Sequence, residues 1–339
     1  MKFIPRQTTV HFKGEFKLIL QVILSGRWKH GDALLELEQK FAKYIGCKYA
    51  VLVPSVTFGM YRVISTLVDK GSEVICPAFS HFSIPSAVLA AGAKPVFIDV
   101  DYQTFNIDVG QIERKLTNRT KAIIVLHFGG QVADLEPILD IARERGLFVI
   151  SDCAHACGAE YKGKKVGSIE DAACFSFGTG KNMDGFGGGI VTTNNELVAQ
   201  KVREAVEALC RWPSLGEVII KIARGYIQWL LMQPLFFCCF TFPLIWLSIV
   251  IDRESDILHK IADAGNKKMS CNLSVKDRVR FSNLQAKVVL SHLKFLDNMN
   301  EKNRANAFLL TKKLSNINNV KLPLQLLDIK SAFLLYPVK

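Results

Sequence analysis

Between residues 45 and 193 short apolar runs alternate with amphipathic stretches, and no other feature restricts the fold of this chain as much. The runs at 50–53, 73–76, 95–100, 121–127, 147–152, 172–177 and 189–193 read as strands, and connections such as 135–145 space their apolar residues as helices do. Runs that are apolar throughout indicate strands covered on both faces. The pattern therefore predicts an α/β fold of βαβ units: a mainly parallel seven-stranded sheet flanked by helices. Such sheets bind ligands beyond the carboxyl ends of their strands. Helices are expected to lead in at 16–24 and 34–44. Farther on, 280–314 reads as one or two long helices and 332–338 as a strand.

Two of the expected strands end in segments rich in chemistry, SDCAHACGA at 151–159 and FSFGTGK at 175–181. A carboxylate at one strand end and a lysine after the next strand is the pair that a pyridoxal-phosphate site requires. The amine forms a Schiff base with the aldehyde, and the carboxylate keeps the pyridine nitrogen protonated so that the ring can accept electrons. Asp152 and Lys181 are the candidates. Ser55, Val56 and Thr57 precede a predicted helix, whose N-terminus would favour a phosphate.

Other readings of these segments are weaker. Cys153, His155 and Cys157 have the donor types of a zinc site, but a closed site needs a fourth ligand and no second cluster accompanies them, so no metal is expected. The glycine-rich stretch before Lys181 is not a phosphate loop, since Phe175 occupies the first glycine position and Asn182 follows the lysine. Gly185, Gly187, Gly188 and Gly189 precede a strand rather than opening a helix, which indicates a tight turn.

From about 25 to 193, and again from 280 onward, the chain resembles the DegT/DnrJ/EryC1/StrS sugar aminotransferases. The resemblance rests on ordered segments: SGRWKHGDALLELEQKFAKYIG, PSVTFGM, SEVICPAFS, GAKPVFIDVD, TKAIIVLHFGGQVAD, VISDCAHACGA, FSFGTGK and GGGIVTT. It implies a fold-type I pyridoxal-phosphate transferase in which Lys181 carries the Schiff base and Asp152 pairs with the pyridinium nitrogen. His155 would lie near the phenolic oxygen and His81 would stack on the ring. Ser176 and Thr57, with the backbone at Val56 and Thr57, would hold the phosphate. The implied reaction converts a nucleotide-linked keto sugar to an amino sugar with an amino acid donor such as glutamate, in a homodimer. The expected organisation is a large cofactor domain at 1–208, a hydrophobic insertion at 209–273 and a partial C-terminal α/β small domain at 274–339.

The insertion contains the least ordinary stretch of the chain, 227–251, which has no charged residue in 25 positions. About 20 apolar residues suffice to cross a bilayer. Pro234 and Pro243 are expected to break this stretch, and a buried core helix or an oligomer interface are the alternatives to membrane contact. A single crossing is excluded if the flanking regions build one unit, so the stretch must turn back or lie in the interface. Lys221, Arg224 and Arg253 would then sit at anionic headgroups. The balance of 43 Lys+Arg against 31 Asp+Glu, net +12, suits a pyrophosphate-bearing substrate or anionic lipid, and no nucleic-acid motif accompanies it. Nine irregularly spaced cysteines and the lack of an apolar run after the first residues suggest a cytoplasmic protein, at most peripheral or monotopic at the inner membrane face. Two further functions remain open at this point: a sensor or scaffold that keeps the fold without catalysis, and a membrane-attached enzyme acting on a lipid-linked sugar.

Overall fold

The computed structural model describes residues 11–251, 278–324 and 328–338. Helices α1 (Glu15–Leu24) and α2 (Ala33–Ile45) come first. Leu37, Phe41 and Ile45 share the buried face of α2, and Gly46, at φ 89°, lets the chain turn out of the helix. Then follow β1 (Tyr49–Val53), α3 (Val56–Leu67), β2 (Glu73–Pro77), α4 (Ser83–Ala90), β3 (Lys94–Ile98), α5 (Val109–Lys115), β4 (Thr120–Leu126), α6 (Leu135–Arg145) and β5 (Phe148–Asp152). Two short strands, β6 (Glu160–Tyr161) and β7 (Lys164–Lys165), precede β8 (Ala172–Ser176), β9 (Gly189–Thr193) and α7 (Glu196–Leu209).

Seven strands make one sheet in the order β1-β9-β8-β5-β4-β2-β3. All run parallel except β9, which is antiparallel to both its neighbours. Every strand expected between 50 and 193 is present, with ends shifted by at most two residues. Along β4, Ile123 and Val125 enter one core while Ala122, Ile124 and Leu126 enter the other. Both faces are covered, which is why these strands read as unbroken apolar runs. Ile123 and Ile124 are fully buried, and truncating either to Ala would cost about 2–5 kcal/mol.

After α7, a capping box of Ser214 and Glu217 opens α8 (Leu215–Met232). Gln233 is extended at ψ 140°, as the ring of the following proline demands, and the helix breaks there. One turn, α9 (Pro234–Phe236), and a π-helical turn, Phe237–Thr241, lead into α10 (Phe242–Ile251). This second arm is bent by 73° from α8. The expected break at Pro234 is present, but at Pro243 the helix continues. Pro243 falls in the first turn of α10, where a missing N–H is tolerated. No single helix among the described residues is long and apolar enough to cross a membrane.

The expected domain boundary between 273 and 274, and Arg253, lie outside the described residues. The 280–314 region forms two helices, α11 (Asn283–Leu293) and α12 (Leu296–Leu314). Ala286 and Val289 of α11 join the core that contains Leu37 and Phe41 of α2. The strand expected at 332–338 is corrected by the structure. Among the described residues, β10 (Ile329–Lys330) is what pairs with β6, while Ala332 and Leu335 each donate one backbone bond, to the Gly130 and Gly129 carbonyls. Two isolated bonds to a loop make no ladder, so the segment crosses the end of β4 as irregular chain.

Candidate active site

Because β2, β4, β5 and β8 are parallel, and β1 shares their direction through β9, their carboxyl ends line one edge of the sheet. Most of the expected site residues follow those ends. Asp152 is the last residue of β5, and in register it faces Leu126 of β4 and Cys174 of β8. It is buried, and its Oδ1 accepts the Ala154 N–H at 2.9 Å, which fixes the carboxylate at the strand end. Burial pushes its carboxyl above the usual range, opposed by that N–H and by the charges of Lys181 and His127.

Lys181 lies five residues beyond β8, in a turn where its N–H donates to the Gly178 carbonyl at 3.1 Å. Burial lowers its amine from the ordinary lysine value, and the nearby Asp152 carboxylate partly restores it. His155 follows β5 in the same region. Its imidazole is pushed down to about 3 by burial and by the charges of Lys181 and His81, so it is neutral at physiological pH. Among the described residues its buried Nδ1 has no hydrogen-bond partner. His81 is exposed, with its ring 4.1 Å from that of Phe82 and its Nδ1 2.8 Å from Ser83 Oγ. Asp152, Lys181, His155 and His81 thus share one electrostatic neighbourhood.

The residues expected to hold a phosphate occupy the adjoining part of the edge. Ser55 caps α3 by accepting the Phe58 N–H at 3.2 Å, leaving Val56 and Thr57 in the first turn with their N–H groups at the positive end of the helix. A Cβ at Gly189 would stand 3.4 Å from the Val56 nitrogen. Gly189 pairs in register with Ser176, whose Oγ accepts the Gly178 N–H at 3.2 Å. Gly189 thus adjoins both Val56 and Ser176, and Thr57 is one residue farther along the same turn.

Several residues that organise this edge were not anticipated. His127, directly after β4, is buried with Cys153 and Glu170, their donor atoms all within 4.8 Å of one another. Glu170 accepts from Ser151 Oγ at 2.8 Å and from the Gly167 N–H at 2.8 Å, with the His127 Nε2 3.5 Å away. Burial alone would raise its carboxyl, but His127 and Ser151 outweigh burial and hold it below its ordinary value. His127 and Glu170 are both fully buried. Asn300 of α12 accepts from Asn182 Nδ2 at 3.3 Å and donates to the Cys157 carbonyl at 2.8 Å, joining the Lys181 turn to the His155 loop. Gln285 of α11 donates to the Gly185 carbonyl at 2.8 Å and steadies the glycine turn. The position of His127 after a strand could have flagged it; Asn300 and Gln285 carry no such signal, since they lie about a hundred residues away in sequence.

The donor set fits pyridoxal phosphate: a buried acid, a buried amine of lowered basicity, a neutral imidazole with an unsatisfied nitrogen, and a hydroxyl beside a helix N-terminus. The architecture is shared with DesV of S. venezuelae, a solved structure that superposes with a TM-score of 0.72 over 96% of this chain and 73% of that one, at 25% identity. In sequence, the chain is 40% identical over 174 residues to a GDP-perosamine synthase of Caulobacter vibrioides, covering 51% of this chain and 47% of that protein. It is likewise 40% identical over 200 residues to the dTDP-3-amino-3,6-dideoxy-alpha-D-galactopyranose transaminase of Aneurinibacillus thermoaerophilus, covering 58% and 55%. The chain spans about half the length of the curated relatives it matches. The model of one family matches residues 12–211, from α1 to just past α7, and on that match this protein belongs to the DegT/DnrJ/EryC1/StrS aminotransferase family.

Proposed function

We propose that this protein is a pyridoxal-phosphate-dependent aminotransferase that converts a nucleotide-linked keto sugar to an amino sugar, with an amino acid such as glutamate as donor. The observation that carries the proposal is the placement of Asp152 and Lys181 at the ends of neighbouring parallel strands, close enough for each to shift the other's proton affinity. Relatives named for GDP- and dTDP-linked sugars favour a nucleotide-linked substrate. The net charge of +12 suits its pyrophosphate.

When bound, the cofactor supplies an aldehyde that takes up amines and a ring that accepts electrons. The chain supplies the rest. Thr57, Ser176 and the backbone N–H groups of Val56 and Thr57 hold the phosphate, at a helix end already polarised for an anion. Asp152 would keep the ring nitrogen protonated, and the Ala154 N–H and the charge of Lys181 help its carboxylate stay ionised. His155, neutral and with an Nδ1 unpartnered among the described residues, would meet the phenolic oxygen, and His81 would stack on the ring. Lys181 Nζ acts as nucleophile and then as general base and acid, moving the proton at the substrate carbon that gains or loses the amine; burial keeps more of it unprotonated.

In this proposal residues 1–208 form the cofactor domain, 209–273 an apolar insertion and 274–339 the second domain. The working form is a homodimer in the cytoplasm, with 227–251 available to the inner face of the membrane. The test is the visible absorbance of purified protein given pyridoxal phosphate and then passed through a desalting column. The wild type is expected to retain the colour and to change spectrum with glutamate. Lys181→Ala should lose the retained colour, with turnover down about 100- to 10,000-fold. A wild-type protein that stays colourless would overturn the proposal.

A further inference from the structure

We propose that the apolar elbow built by α8 to α10 is a one-leaflet membrane anchor, seated from one side in an anionic bilayer and holding the Lys181 turn at its surface. The topology comes first. The Arg211 N–H donates to the Arg278 carbonyl at 3.1 Å, and the Arg280 N–H donates to the Arg211 carbonyl at 2.8 Å. Arg211, just before α8, and Arg278 and Arg280 therefore meet at one point on the folded body. One complete crossing between them would separate two segments that are hydrogen-bonded to each other. A second crossing to bring the chain back would need another apolar run. Instead Asp252, Arg253, Glu254 and Asp256 follow at once, and charged residues recur to Asp277.

The elbow is also apolar in a way that one protein partner would not cover. On α8, Val218, Ile222, Gly225 and Met232 are buried against the body, while Ile219, Ile220, Ile227 and Leu230 face outward. Beyond the bend the exposed residues include Leu235 at 72%, Phe240 at 58%, Leu244 at 63% and Trp246 at 59%. Thr241 Oγ1 donates to the Leu231 carbonyl at 2.8 Å and holds the second arm against the first. An arm that is apolar around most of its circumference calls for a surrounding apolar medium rather than a single flat contact. Arg224 stands exposed on α8 just before the charge-free stretch, where lipid phosphates would meet it, and the exposed Trp246 suits the boundary between headgroup and chain. The anchor reaches the site directly: a Cβ at Gly225 would stand 2.7 Å from Phe186 Cδ1 and 4.0 Å from Thr179 Oγ1, two residues before Lys181.

Flotation of the full chain with vesicles of phosphatidylcholine alone, and with vesicles that also contain phosphatidylglycerol, tests this without depending on turnover. The wild type should float with the anionic vesicles. Arg224→Gln should bind them about fivefold more weakly and leave binding to neutral vesicles unchanged. The double variant Leu235→Glu/Leu244→Glu, altered only at exposed positions, should stay at the bottom while keeping its far-ultraviolet circular dichroism and its absorbance with pyridoxal phosphate. Wild-type protein that remains at the bottom with both vesicle types overturns the proposal, as does a double variant that floats as well as wild type. If the wild type is instead a stable oligomer without lipid and the double variant dissociates it, the face belongs to a second copy of this chain.

Discussion

Two buried acids show what the residue scale decides. Asp152 and Lys181 each pay for burial in proton affinity, in opposite directions, and each charge offsets part of the other's shift. Asp152→Asn removes the charge that props up the lysine, so the Lys181 amine should lose its proton at a lower pH. The pH midpoint for its reaction with pyridoxal phosphate, followed by absorbance, should move down, and retention of the cofactor should weaken. Glu15 on α1 is the contrasting case, held structurally rather than for chemistry. Burial would raise its carboxyl, but His11 Nδ1 at 2.7 Å and His292 Nε2 at 3.2 Å outweigh burial and lower it from 4.5 to about 2. A depressed carboxylate stabilises the fold above its unfolded value and loses that contribution as pH falls from 4.5 towards 2. Glu15→Gln should therefore cost about 2–3 kcal/mol near neutrality. Denaturant unfolding of the variant and wild type should converge at the acid end of that window; equal stability at both ends would contradict the assignment.

At the scale of elements, the site is a consequence of strand direction. Five strands ending at one edge bring Val56 together with Asp152, Ser176 and Lys181, although it lies far from them in sequence. The helices act on that edge from outside. Gly225 lets α8 lie against Phe186, and a side chain there would meet the ring at 2.7 Å and 2.9 Å. Gly225→Ala should lower stability by about 1–3 kcal/mol, read as a fall in melting temperature, because either the helix or the ring has to give way. An unchanged melting temperature would mean that the contact yields freely. The bend at Gln233 and Pro234 is the one element boundary in the apolar stretch that local sterics dictate. The continuation through Pro243 depends on where the π-helical turn happens to place it.

At the scale of the whole molecule, a residue far along the chain completes the site. Asn300 bridges Asn182 and the Cys157 carbonyl, so α12 fastens the two loops that carry Lys181 and His155. Asn300→Ala should cost about 1–3 kcal/mol of stability by leaving a buried carbonyl and a buried amide without partners. It should also loosen cofactor retention, although Asn300 belongs to neither loop. A variant that keeps full stability and full retention on a desalting column would show that the loops are held independently.

The strands at 73–76, 121–127 and 172–177 could be read from the chain alone, because an unbroken apolar run of that length, closed by turn residues, has few other uses. The pairing of Asp152 with Lys181 was legible for a related reason: both follow strands, and parallel strands end together. Nothing in local pattern could reveal that 332–338 would be irregular, since its residues suit a strand and, among the described residues, Ala332 and Leu335 bond only singly to the loop at Gly129 and Gly130. The same holds for the His127–Glu170 pair, for the grip of Asn300 and Gln285 on the turns around Lys181 and Gly185, and for the hydrogen bonds that bring 211 and 280 together. Periodicity and turn chemistry act over a few residues and so determine which segments become strands and helices. Which side chains meet, and which buried charges find partners, depends on contacts between segments a hundred or more residues apart, and only the assembled tertiary structure decides those.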